Sequence, residues 1–203
     1  MKNIFLVFTV SALFFGGTDS AFSQTIRSAS SQDEGKRWSI GLQAGPVFAK
    51  AFNRNYRGFS VQPGVYYYSG RYMLGAVPYF ARFSDDYQGS FNNPVDERTD
   101  TFTYGGINFQ GRYYFGKGSI RPYVAGFIGA GYMSDRLERK PEFGGDRTHE
   151  SSTINLGLGA GATYRLSNSL LLDIKVEQGF IRHVDFDNWN QYLNPSLGVL
   201  WQF

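Results

Sequence analysis

His149 and Ser151, one on either side of Glu150, are the nearest the chain comes to a base beside a nucleophile. On an extended strand residues two apart share a face, so the imidazole could reach the hydroxyl. The flanking residues are those of a polar loop, however, and we expect His149 to lie in or beside that loop without a catalytic role. His183, in His183-Val184-Asp185, reads likewise as a loop residue rather than a ligand. Asp85, Asp86, Asp96, Glu97 and Asp100 make another intervening stretch acidic. A solvated loop explains it, with bridging of cations or lipopolysaccharide as the alternative. The remaining charges are placed differently. Arg112, Arg121, Arg165, Asp173, Lys175 and Glu177 fall on the polar parity of segments that otherwise alternate with apolar residues. Charges of both signs on one face, close to Tyr114 and Tyr123, predict a cross-linked interior, with a narrow aqueous path lined by the same charges as the alternative. The chemistry expected there is ion pairing.

The segments that must position these residues have period two, and none is helical in pattern. Eight are expected: 38–48, 58–68, 71–83, 101–116, 120–132, 153–166, 170–181 and 191–203. Several are long enough to cross a bilayer, since a tilted transmembrane strand needs ~9–11 residues. Ser69-Gly70, Lys117-Gly118 and Ser167-Asn168-Ser169 are short turns, whereas residues 49–57, 84–100, 133–152 and 182–190 form longer, charged connections. Turn length sets register. Two-residue turns predict Tyr68 opposite Arg71, Gly116 opposite Ser119, Arg112 opposite Tyr123, and Tyr114 opposite Arg121. The three-residue turn predicts Leu166 opposite Leu170 and Thr163 opposite Asp173, with Arg165 diagonal to Asp173. Pro46, Pro63, Pro78, Pro122 and Pro195 oppose this reading, because proline cannot donate to a ladder. A bulge is the expected remedy at Pro63.

Two strands decide which face is which. Ile154, Leu156, Leu158, Ala160, Ala162, Tyr164 and Leu166 alternate with Asn155, Gly157, Gly159, Gly161, Thr163 and Arg165. Leu170, Leu172, Ile174, Val176 and Phe180 likewise oppose Asp173, Lys175, Glu177 and Gly179. A polar face crowded with glycine is a narrow interior, so the bulky apolar face must point outward into lipid. The last segment, Gln191 to Phe203, keeps the alternation with Leu200 as its apolar exception. Its open edge requires a partner, and pairing with the first strand closes a barrel. Tyr67, Tyr72, Phe115, Tyr164, Trp201 and Phe203 then band the turn end, and Phe48, Phe80, Tyr132 and Phe180 the loop end, as aromatic girdles do.

Met1 to Ser23 read as a signal peptide, with Lys2, an apolar run from Ile4 to Phe15, and Ala21-Phe22-Ser23 before the expected cleavage. A polar lead-in of residues 24–37 follows, and residues 38–203 make one β-domain. The chain contains no cysteine, which excludes disulfides, thiolate metal sites and a lipidated cysteine. The net charge of +3 is small and evenly spread, which argues against nucleic acid. No GxGxxG, Walker or zinc spacing is present, and no cofactor is expected.

The strand LGVLWQF, the strand start Arg121-Pro122-Tyr123-Val124 with Gly126, Gly129 and Gly131, and the strand LGLGAGATYRL resemble the small eight-stranded outer-membrane β-barrels of the OmpA, OmpX and OmpW type. The likeness covers nearly all of the expected mature chain. It implies an all-β, antiparallel, up-and-down transmembrane barrel, with turns and amino terminus in the periplasm and four loops outside. It implies that Trp201 and Phe203 are read by the barrel-assembly machinery, and that outer-membrane lipid is the surrounding partner. No peptidoglycan-binding domain follows the barrel, so wall tethering by that route is not expected. Envelope structure, or binding of an extracellular ligand or host surface by the loops, is the expected role. The alternatives are a lipid-modifying barrel enzyme, which would need its His and Ser on the lipid face, and a narrow channel for small apolar solutes.

Overall fold

A computed structural model describes residues 37–51, 54–87, 98–116, 118–139, 147–184 and 189–203. They form eight strands: β1 (Arg37–Ala51), β2 (Arg54–Ser69), β3 (Tyr72–Tyr87), β4 (Arg98–Tyr114), β5 (Ile120–Arg139), β6 (Arg147–Arg165), β7 (Leu170–His183) and β8 (Trp189–Gln202). Each pairs antiparallel with its chain neighbour, and β8 pairs back onto β1 to close the barrel. The signal peptide expected over residues 1–23 and the lead-in up to residue 36 lie outside the described residues. Arg37, expected in the lead-in, opens β1.

Faces follow the sequence alternation. Leu158, Leu74, Phe109 and Ile174 stand outward, each more than half exposed, while Gln43, Asn155, Asp173 and Lys175 are buried inside. This inversion of the usual pattern suits a barrel whose outer solvent is hydrocarbon. Leu200 takes the inward parity and is fully buried. Tyrosine rings lie across several of the interior glycines. A Cβ on Gly161 would sit 2.6 Å from the Tyr123 hydroxyl oxygen, and one on Gly179 would sit 2.2 Å from the Tyr192 ring.

Two registers differ from expectation by two residues. Ser69 pairs with Tyr72, so the first turn is Gly70-Arg71. Gly70 has φ +61°, the left-handed conformation that a primed hairpin turn requires at its first position. Between β4 and β5, Tyr114 pairs with Tyr123 and Arg112 with Ala125. Gly116 at φ +83° turns the chain out of the ladder early. Shifts of two preserve every face. The expected pairs Arg165 with Leu171 and Thr163 with Asp173 are present.

Strands also run further than expected at the loop end. Ala51 and Arg54 leave only residues 52–53 between β1 and β2, so the first connection is short. Asp85 and Asp86 belong to β3 and Asp100 to β4 rather than to a loop; Asp96, Glu97 and Asp185 lie outside the described residues. The prolines need no bulge. The β2–β3 ladder pairs Val61 with Phe80 and resumes in the same register at Val65 with Ala76, which sets Pro63 opposite Pro78. The β1–β8 ladder breaks and resumes likewise between Ala44–Leu197 and Phe48–Leu193, setting Pro46 opposite Pro195. Facing prolines confine two missing donors to one place in each ladder.

Candidate functional site

The barrel interior holds a continuous polar network built from five strands. Asp173 on β7 receives a hydrogen bond from Arg112 Nη1 at 2.7 Å and one from the Tyr123 hydroxyl at 2.8 Å, and it is also bonded by Gln43 Nε2. Arg112 Nε donates to Gln110 Oε1 at 3.0 Å, and Gln110 Nε2 donates to Glu177 at 2.6 Å. Lys175 Nζ donates to Glu177 at 2.7 Å and to Gln62 at 2.6 Å. The chain of contacts therefore crosses the lumen from β1 and β2 through β7 to β4 and β5.

Alternation along β7 supplies the pattern, because Asp173, Lys175 and Glu177 all point inward. Strand closure supplies the partners. The network is electrically balanced, with Arg112 against Asp173 and Lys175 against Glu177, and the Arg112 and Asp173 side chains are completely buried. Buried ions need this pairing, since each loses several kcal/mol of hydration on leaving water. The Arg112 guanidinium also lies over the rings of Tyr66 and Tyr123, 5.1 and 4.7 Å from their centroids.

Aromatic layers close the network on both sides. At the turn end Tyr68, Tyr114 and Tyr123 stack in sequence with centroids 5.2 Å apart, and half-buried Arg121 covers Tyr68 and Tyr114. Toward the loop end Tyr79 packs on Tyr104 and Tyr192, and Phe102 packs on Tyr56 and Phe83. Above these, an apolar hollow is lined by Ala49, Tyr56, Phe83, Phe102, Met133 and Tyr192.

Five of the six charged residues expected in the lumen are thus placed there, with Arg121 at its turn-end edge. Arg165 is the exception. It is exposed at the rim, one pleat beyond buried Thr163, where its charge stays in water. Asp173, its expected neighbour, is occupied by Arg112, Gln43 and Tyr123. Trp201 and Phe203 face outward at the turn end. Sequence reasoning passed over Gln43, Gln62 and Gln110, which carry no charge; their inward parity was the signal available.

The histidines also moved. His149 lies on β6 opposite Asp135 and is exposed. His183 is the buried last residue of β7, not a loop residue, and its Nδ1 is 2.6 Å from the hydroxyl of Ser151. Asn190 Nδ2 lies 3.2 Å from the other ring nitrogen. Ser151 therefore pairs with His183 rather than His149. The pair faces the lumen rather than lipid.

The whole length of the barrel, its outward apolar wall and its filled interior now bear on kinship. The sequence matches the family model described as outer membrane protein beta-barrel domain over residues 10–184. The chain belongs to that family. Its place is accordingly the outer membrane, embedded in lipid. A search of curated proteins found no significant match. Among solved structures, the barrel is similar to Neisserial surface protein A, with 19% identity and TM-score 0.60 over 84% of this chain and 100% of that one. It is also similar to a major outer membrane protein of Thermus thermophilus, with 16% identity and TM-score 0.52 over 83% of this chain and 99% of that one. The attachment invasion locus protein Ail of Yersinia pestis matches at 17% identity and TM-score 0.50, over 83% of this chain and 99% of that one. At these identities the likeness is one of fold.

Proposed function

We propose that the barrel is a non-enzymatic, non-conducting platform that holds its extracellular connections for envelope structure or surface binding. The observation that carries this reading is the balanced network from Gln43 and Gln62 through Asp173, Lys175 and Glu177 to Gln110 and Arg112. Eight strands leave an interior just wide enough for side chains to fill, and here they are bonded to one another across it. A cross-linked interior resists shear between strands, so the hairpins that extend beyond the lipid are held on a stiff base. A partner's surface would meet β3–β4 and β5–β6, which extend furthest. Ail, of similar fold, was solved with the heparin analogue sucrose octasulfate, a precedent for ligand binding on such a base.

Purified barrel in planar bilayers is expected to show no steady unitary conductance. Steady openings whose amplitude Asp173→Ala changes would replace the platform with a channel. A serine-directed fluorophosphonate is expected to leave Ser151 unlabelled in the folded protein. Labelling that His183→Ala abolishes would establish an enzyme instead.

Assembly belongs to the same proposal. Trp201 and Phe203 offer outward aromatic rings at the turn end for the barrel-assembly machinery. Phe203→Asp is expected to lower the amount of folded barrel in the outer membrane while secretion continues. A charge near the interface costs only ~0–1 kcal/mol, so a severe loss reports recognition. Wild-type levels of folded variant would count against that role.

A further inference from the structure

Three cations form a row on the outward face of adjacent strands at the loop end. Lys50 on β1, Arg57 on β2 and Arg82 on β3 are all exposed. Arg57 stands opposite Phe48 on one side and Ser84 on the other. Lys50, two residues past Phe48, and Arg82, two residues before Ser84, are therefore its diagonal neighbours. Such positions lie ~7–8 Å apart, within reach of one anion for long side chains. Of the acidic residues on the three strands, Asp85 has the parity opposite to Arg82, toward the lumen, and Asp86 has the same parity as Arg82. Asp86 lies on β3 four residues beyond Arg82, further from the lipid wall.

Directly beneath the row lies an aromatic band. Phe48, Phe59 and Phe80 are 44%, 55% and 54% exposed, each on the same face as one of the cations and two residues from it. Two residues of strand are ~7 Å. Below them the wall continues through Leu42, Val65 and Leu74, all exposed and apolar. The turn end of the same strands differs: its outward strand positions are the aromatics Trp38, Tyr67 and Tyr72, and the exposed Arg71 of the turn donates to the Tyr113 hydroxyl. The row of three cations on strand positions thus lies at one membrane surface, the one that short turns identify as extracellular by being at the other end.

We propose that Lys50, Arg57 and Arg82 bind the phosphate headgroup of an outer-leaflet lipid whose acyl chains lie along Phe48, Phe59 and Phe80. Guanidinium forks match phosphate oxygens in pairs, and the ammonium adds a third donor group. The apolar wall continuous with the row selects an amphiphile over a free anion. This site is separate from the hairpin tips and stands whether or not they bind a partner.

The test is native mass spectrometry of the full barrel in detergent, offered diphosphorylated lipid A or the same lipid with its phosphates removed. The wild type is expected to retain the phosphorylated form preferentially. Lys50→Gln, Arg57→Gln and Arg82→Gln are each expected to weaken retention about fivefold, as loss of one surface cation near anionic lipid does. The triple variant is expected to lose the preference, while Arg165→Gln at the opposite rim keeps it. Heat-dependent migration in SDS verifies that each variant is folded, and the single variants decide the matter if the triple one is not. Equal retention of both lipids, an unchanged preference in the variants, or displacement by inorganic phosphate as effective as by lipid would each overturn the proposal.

Discussion

Asp173→Ala is expected to destabilise the barrel by roughly 3–5 kcal/mol, read as a lowered urea midpoint in phospholipid vesicles. Both side chains of the Arg112–Asp173 pair are fully buried. Truncating the acid leaves the buried guanidinium charged without its counter-ion, and it also strands the Tyr123 hydroxyl and the Gln43 amide. The loss measures an orphaned cation rather than the worth of the pair. Arg112→Met combined with Asp173→Leu removes both charges, and it is expected to recover most of the stability. A shift of less than ~1 kcal/mol for Asp173→Ala would mean that water reaches Arg112, and the filled lumen would then be wrong.

The second large effect belongs to the opposite face. Leu158 on β6 is 68% exposed and lies near the middle of the outward apolar run from Ile154 to Leu166. Leu158→Arg is expected to cost ~2–4 kcal/mol in vesicles, the amount found for a cation at the bilayer midplane on a barrel's lipid face. In a barrel surrounded by water the same exposed substitution stays within ~0.5 kcal/mol. Stability unchanged to that degree, measured from the same urea transition, would contradict lipid contact at this position.

The two predictions rest on differently legible parts of the chain. That Leu158 faces out and Asp173 faces in was readable from alternation alone, because side chains on a strand change face at every residue. A register error of two residues cannot disturb that. The Gly70 and Gly116 turns shifted two hairpins by two positions, and no residue changed face. Strand ends were less legible: β5 and β6 run past Tyr132 and begin before Thr153, because polar residues continue a ladder beyond the lipid as readily as they form a loop.

What the sequence by itself determined is therefore the eight strands, the direction of each side chain, and the environment that so inverted a pattern requires. The partners inside were decided only by closure. Gln43 and Asp173 are separated by 130 residues and Lys175 and Gln62 by 113, and no turn connects them. They meet because β8 returns to β1 with a particular stagger, which sets the height at which each strand delivers its side chains to the common lumen. The same stagger gave Asp173 to Arg112 rather than to the nearer Arg165, whereas His183 reaches Ser151 diagonally across the β6–β7 ladder that the turn at residues 167–169 sets. Alternation records only a face. Height around a closed barrel accumulates from every register in turn, and that quantity exists only once the last strand has met the first.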